Sequence, residues 1–280
     1  MANILFGRDP ARLLRRNMRG RVKGLVGRGL TPCLRTVQVG VDDAAAGYVR
    51  GIGRAGQRVG VKVENDLLPS NISSEEVMEH LRRLNTDDSV HGVFLALPFP
   101  EQIEETVVVD SLLATKDVDR VTSSALGALM TGRVMIGPAT AAAVVEMLDF
   151  AGEEIEGRSV TVVGRSNVVG RPLWAMLLDR HATVTVCHTR TANLAAVAAS
   201  AEILIVAAGH PGLIGAEHVG PDAVVLDVGT NYENGNLIGD VRFDEVEPRV
   251  RLITPVPGGI GPLTNYCLMR NLVELIEHTL

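Results

Sequence analysis

Ser159-Val-Thr-Val-Val163 runs without a break into Gly164-Arg-Ser-Asn-Val-Val-Gly170-Arg-Pro172, after which the pattern turns helical. A short β-branched run bounded by glycine reads as a buried strand. A glycine turn then delivers the chain to the start of a helix. Phosphate is held best where backbone N–H groups and the positive end of a helix point at it, and side chains would block its approach. Gly164 and Gly170 leave that approach open, and the Ser166 hydroxyl adds a donor. Glycine turns between strand and helix are common, so this loop alone reads equally as plain turn geometry; the segments around it decide.

The next strand, Thr183–Cys187, ends in His188-Thr-Arg190. Dinucleotide folds that take NAD usually carry a carboxylate there for the ribose hydroxyls. Arg165, Thr189 and Arg190 occupy this neighbourhood instead, which favours a 2′-phosphate and hence NADP over NAD. Surface polarity is the competing reading. Further strands are expected at Ile203–Ala207 and Ala223–Asp227, with helices at about 140–151, 170–180 and 192–199. A Pro/Gly loop is expected over 251–264 and a last helix over 265–279.

The same alternation fills the first half. A helix is expected over 10–29, where Leu13, Leu14, Met18, Val22 and Leu25 recur at helical spacing. Strands follow at Leu34–Val39, Val61–Asn65 and Gly92–Ala96. A helix over 74–84 opens on the capping box Ser73-Ser-Glu-Glu76. The helix expected over 43–59 contains Gly47, Gly51, Gly53 and Gly56, each costing about 1 kcal/mol against alanine, so it depends on packing or is partly unwound. Strands alternating with helices imply parallel β-α-β units. The break at Met130–Pro138 divides the chain into residues 1–137, completed by 265–280, and residues 138–264.

Length and composition agree with this. The 280 residues carry 46% apolar, 21% charged and only 3% aromatic side chains, which suits two globular domains built on Ala, Val, Leu and Ile. A net charge of −6 argues against a nucleic-acid partner. The arginines of 12–21 and Lys23 read as a solvated helix face. Three scattered cysteines show no metal-like pairing and suit a reducing, cytoplasmic compartment. No apolar run approaches the roughly 20 residues a bilayer requires, and the N-terminal stretch lacks a signal-peptide core.

Several segments together resemble the methylenetetrahydrofolate dehydrogenase/cyclohydrolase family. They are Val163–Pro172, Cys187-His-Thr-Arg-Thr191, Asp227-Val-Gly-Thr-Asn231, Gly239-Asp-Val241 and Ile253-Thr-Pro-Val-Pro-Gly-Gly-Ile-Gly-Pro-Leu-Thr264. In the first half, Tyr48-Val49, Leu97-Pro98-Phe99-Pro100 and Lys116-Asp-Val-Asp119 fall at the family's spacings. The resemblance covers nearly the whole chain. It implies two α/β domains flanking a cleft, the second a Rossmann-like dinucleotide-binding domain, with the final helix crossing back to the first domain. It also implies a homodimer and a tetrahydrofolate derivative as substrate.

Residue by residue, the resemblance makes Asp119 the group that recognises the pterin edge, which a carboxylate can do through two parallel hydrogen bonds. A helix cap or solvated loop aspartate is the alternative. Tyr48 corresponds to the tyrosine that packs on folate; the alternative is a core tyrosine. These two are the catalytic candidates. Pro98, Gly258, Gly259 and Pro262 match pocket-lining positions, or serve turn geometry alone. Gly164, Arg165, Ser166, Gly170, Thr189 and Thr230 are the candidates for holding the dinucleotide. No metal is expected.

The departures carry more information. The family's lysine in Y-x-x-x-K is Ile52 here, and the glutamine before L-P-x-P is Ala96. No shift of register rescues the lysine, because none occurs between Lys23 and Lys62. The family's P-C-T-P-[KR]-G reads Pro138-Ala-Thr-Ala-Ala-Ala143. Water attack on a methenyl bridge needs positioned proton-transfer groups, and isoleucine and alanine supply none. Hydride transfer needs orientation rather than a moving proton. The expectation is an NADP-dependent methylenetetrahydrofolate dehydrogenase without cyclohydrolase activity. The alternatives are a repurposed enzyme for reductive one-carbon transfer or imine reduction, and a non-catalytic folate- or NADP-binding protein.

Overall fold

The computed structural model describes residues 2–41, 43–134, 136–233 and 235–279, with only the backbone described at 43 and 44. Met135, inside the expected boundary segment, lies outside these. In chain order the first elements are β1 (Asn3–Ile4), α1 (Arg8–Gly27), β2 (Cys33–Val39), α2 (Asp43–Val59), β3 (Lys62–Leu68), α3 (Ser74–Thr86) and β4 (Gly92–Leu95). Then follow α4 (Glu105–Asp110), α5 (Ser123–Met130), α6 (Ala139–Ala151), β5 (Ser159–Val163), α7 (Gly170–Leu178), β6 (Thr183–Cys187), α8 (Leu194–Ala199), β7 (Ile203–Val206) and β8 (Val224–Asp227). The last are β9 (Asn231–Glu233), β10 (Asn236–Ile238), α9 (Phe243–Val246), β11 (Leu252–Ile253) and α10 (Gly261–Thr279).

The chain forms two compact α/β units. One comprises Leu13–Ala128 with Asn265–Leu280, the other Met1–Arg12 with Leu129–Thr264. This differs from the sequence expectation in two places. The division falls at 128/129 rather than 137/138, and residues 1–12 join the second unit. The reason is nonlocal pairing: Asn3 and Ile4 of β1 pair in parallel with Leu252 and Ile253 of β11. That pairing also puts a strand inside the segment expected as a Pro/Gly loop, and α10 begins at Gly261 within it.

The first unit carries a three-stranded sheet in the order β3-β2-β4, parallel throughout. Central β2 is almost wholly buried, whereas edge strand β3 is half exposed along its length. A core of Val37, Val77, Leu81, Val93, Leu95 and Val108 fills the space between sheet and helices. On α1 the buried face is Leu14, Met18, Val22 and Leu25; Leu13 lies on the solvent side. The capping box at α3 forms as read, Ser73 and Glu76 exchanging hydrogen bonds.

The second unit carries six strands in the order β1-β11-β8-β7-β5-β6, with every adjacent pair parallel. β5, β7 and β8 are buried on both faces, as strands covered by helices on two sides must be. From β5 the chain crosses to β6 on one side and then returns to β7 on the other. The carboxyl ends of β5 and β7 therefore form a topological switch point, the place where open parallel sheets bind ligands.

Candidate functional site

At the switch point the end of β5 and the end of β7 touch backbone to backbone. Ala207 N donates to Val163 O at 2.8 Å there, while on the other side of β5 Gly164 N donates to Cys187 O of β6 at 2.9 Å. Gly164 has φ +130°, a conformation suited to glycine, and a Cβ there would fall on Ala207 O. A Cβ on Gly170 would likewise fall on Gly164 O. The loop thus closes on itself with no room for side chains, and α7 begins at Gly170. Such a cradle fits a pyrophosphate. Arg165 and Ser166 are exposed on it. The Ser166 Oγ accepts from Val169 N at 3.2 Å and Gly170 N at 3.4 Å. Its hydroxyl proton is left to donate outward, while the first amides of α7 are already satisfied.

β6 ends at Cys187, and the following turn is tied by His188 N donating to Thr191 Oγ1 at 2.8 Å and Arg190 N donating to His188 Nδ1 at 3.1 Å. Thr189 and Arg190 stand exposed from that turn, and its sequence contains no carboxylate. Thr230 is exposed just beyond β8. Gly258, at φ +110°, accepts from Gly7 N at 2.8 Å through its carbonyl. Gly259 is buried, with no space for a Cβ between Pro255 O and Thr254. Pro262 is partly buried in the first turn of α10.

In the other unit, α2 is an unbroken helix despite its glycines. Gly51 is packed against the Asn265 side chain, and Gly56 against Val61 and Val63 of β3's approach. These contacts are what the low helix propensity accommodates. Tyr48 lies on this helix, its ring tilted 39° against Phe94 at 5.5 Å between centroids. Ile52, one turn on, is fully buried, and Ala96 at the end of β4 is buried too. Burial, with the Asp119 carboxylate and Cys267 nearby, pushes the Tyr48 phenol well above its usual range. Tyr48 is therefore a neutral O–H at any ordinary pH and no base.

Asp119 is partly buried in a segment pinned from several sides. Val93 N donates to Lys116 O at 2.6 Å, Val118 N to Val93 O at 3.3 Å and Asn271 Nδ2 to Val118 O at 2.9 Å. Thr122 N donates to buried Asp117 Oδ2 at 2.9 Å, and Thr122 Oγ1 accepts from Ala125 N at 3.2 Å at the start of α5. The helix cap is thus Thr122, not Asp119. Tyr48 thus has Phe94 against its ring and the Asp119 carboxylate near its phenol, with Asn265 packed on α2 at Gly51. Pro98 is exposed at the end of the β4 segment, preceded by a cis peptide bond.

Two polar groups here escaped the sequence reading. Gln38, in the apolar run of β2, is buried and donates from Nε2 to Gly40 O at 3.1 Å; Ala96 N donates to the adjacent Val37 O at 2.9 Å. Asn265 keeps a buried Oδ1 without a hydrogen-bond partner among the described residues. A lone glutamine inside a strand and an asparagine inside an apolar helix were the available signals. None of the lysines takes Ile52's place. Lys62 is paired with Glu64 at 2.7 Å, Lys116 donates to Leu84 O and Asp87 O, and Lys23 is exposed on α1. Among the described residues no cluster of His, Cys, Asp and Glu could hold a metal, and no helix is long and apolar enough to cross a membrane.

Comparison with known proteins gives matches along both units. The family model described as tetrahydrofolate dehydrogenase/cyclohydrolase, catalytic domain, matches residues 5–119. The one described as tetrahydrofolate dehydrogenase/cyclohydrolase, NAD(P)-binding domain, matches residues 138–280. The chain is 42% identical over 273 residues to the bifunctional protein FolD of Halalkalibacterium halodurans, covering 98% of each. It superimposes on the bifunctional FolD methylenetetrahydrofolate dehydrogenase/cyclohydrolase of Campylobacter jejuni with a TM-score of 0.96 at 35% identity, covering 100% of both chains. The Trypanosoma brucei FolD, solved with NADP cofactor and inhibitor, gives 0.94 at 33% identity, covering 99% of this chain and 98% of that one.

Proposed function

This chain belongs to the tetrahydrofolate dehydrogenase/cyclohydrolase family, and from that premise we propose that it oxidises 5,10-methylenetetrahydrofolate to the methenyl form with NADP and lacks the cyclohydrolase step. The observation that carries this is the fully buried Ile52 one helical turn from Tyr48, with buried Ala96 on the neighbouring strand end. Neither side chain can move a proton, and the Tyr48 phenol is held neutral. Water attack on a methenyl carbon is left without a base, while hydride removal asks only for orientation.

Gly164, Arg165, Ser166, Gly170, Thr189 and Thr230 would hold the dinucleotide, with Arg165 and Arg190 suited to a 2′-phosphate. A nicotinamide dinucleotide bound there supplies the hydride acceptor. Asp119 would accept from the pterin edge, Tyr48 and Pro98 would pack on the ring, and Gly258, Gly259 and Pro262 would line the pocket. The homodimer and the cytoplasmic setting belong to the same reading. Sedimentation of the purified protein checks the first, and the sparse, widely spaced and buried cysteines favour the second.

The experiment is two assays on one preparation. With methylenetetrahydrofolate and NADP, reduced nicotinamide should appear and the methenyl compound accumulate. Added methenyltetrahydrofolate should hydrolyse no faster than in buffer. Normal hydrolytic turnover would overturn the proposal. The double variant Ile52→Lys, Ala96→Gln should raise hydrolysis by about 10²-fold, the usual scale for a positioned proton-transfer group.

A further inference from the structure

We propose that Asp240 is a positioning residue for the nucleotide site, its carboxylate filling an anion nest in the loop after β7 and thereby setting the wall against which the Gly164 turn packs. Asp240 is fully buried. Its Oδ2 accepts from Ala208 N at 2.6 Å and Gly209 N at 2.9 Å; its Oδ1 accepts from His210 N at 2.9 Å and Asn231 Nδ2 at 2.8 Å. Successive backbone N–H groups converging on one point form the concavity that elsewhere binds phosphate or other anions. Here the chain's own carboxylate occupies it.

The residue before this nest is Ala207. Its N–H closes on Val163 O, and its carbonyl stands where a Cβ on Gly164 would have to go. The carboxylate therefore orders 208–210, which fixes Ala207, which shapes the turn at Gly164. Asp240 is itself held from β8. Its N–H donates to Asp227 Oδ1 at 3.1 Å, Val241 N donates to Asp227 Oδ2 at 3.0 Å, and Ile214 N donates to Asp240 O at 3.0 Å. Glycine stands at 239 and 229 because a Cβ at either would strike a carboxylate, that of Asp227 or of Asp240 respectively. The two segments Asp227–Asn231 and Gly239–Val241 thus form one clamp on the end of β7.

The inference rests on reading the Gly164 turn as the nucleotide site, so the test has two readouts. In the first, NADP is titrated into wild type and Asp240→Asn, and the kinetics are compared. The variant should bind NADP about tenfold more weakly, with the KM for NADP raised to match and kcat within about twofold. In the second, backbone amide exchange is followed without cofactor. Exchange at 208–210 should accelerate at least about tenfold in the variant, with β6 unchanged. Wild-type affinity together with wild-type exchange at 208–210 would overturn the proposal. If wild type binds no dinucleotide but exchange responds, the clamp stands and the nucleotide reading falls. Should Asp240→Asn not fold, Asn231→Ala decides: a rise in Kd of about threefold supports the proposal, and an unchanged Kd sinks it.

Discussion

Gly164 shows how one residue joins fold and site. Its φ of +130° strains any side chain, and the space a Cβ would need is filled by Ala207 O, a backbone atom that cannot rotate away. Gly164→Ala must therefore push β5 and β7 apart at their carboxyl ends. We expect a loss of about 1–3 kcal/mol in stability, measured by denaturant unfolding, and weakening of NADP binding by more than about tenfold. An alanine variant that melts and binds like wild type would show that the turn is looser than its packing indicates. Ile52 and Ala96 are the opposite kind of residue. The sequence itself shows two side chains without a transferable proton at these positions, and the structure adds that both are buried.

At the scale of an element, α2 separates two uses of glycine. Gly56 faces Val63 and Val61 so closely that a methyl group would overlap the Val63 side chain, whereas a Cβ on Gly53 meets nothing within 4 Å. Gly56→Ala should therefore destabilise by about 1–3 kcal/mol, and Gly53→Ala should stabilise by about 0.5–1 kcal/mol through the lower entropy of the unfolded chain. Shifts of the same sign and size in thermal melts, or two neutral variants, would show that α2 does not pack as described. The helix itself was legible in the sequence; which glycine was structural was not, since that depends on β3. Long periodic segments such as α1, α3 and β5 could be read because their own residues carry the signal. The two-residue strands β1 and β11 have no period to detect, and the hairpin β9–β10 and short α4 and α5 lack one as well. The site divided in the same way. Glycines, prolines and the aspartate at 119 were visible as motif letters, whereas Gln38 and Asn265 became visible only through burial and neighbours.

For the whole molecule, the place of residues 1–12 could not be read locally, because β1 joins a sheet whose other strands lie more than a hundred residues away. The same nonlocal construction buries Asp227 at the end of β8. Burial, with the nearby Asp240 carboxylate adding to it, outweighs the hydrogen bonds from Gly229, Val241 and Asp240 N–H and pushes the Asp227 carboxyl up to about 6, from 3.8. The folded protein then holds a proton at this site over a pH range where the unfolded chain has released it. Between about pH 4 and pH 6 the folded state binds more protons, so this group's contribution makes stability fall as pH rises and then level off above about 6. At about 1.4 kcal/mol per pH unit, the full change is on the order of 3 kcal/mol. Buried Asp117 is shifted in the same direction, so part of the slope has a second source. Exposed carboxylates with lowered values, such as Glu76 and Glu202, act oppositely and lose their contribution as pH falls through their own range. The difference between proteins isolates the term. Unfolding free energies of wild type and Asp227→Asn, measured across pH 4 to 7, should diverge in slope. The asparagine variant, though less stable at low pH because its amide faces backbone donors, should show the shallower decline. Parallel curves would mean that Asp227 stays ionised throughout and that its backbone hydrogen bonds, not its burial, set its charge.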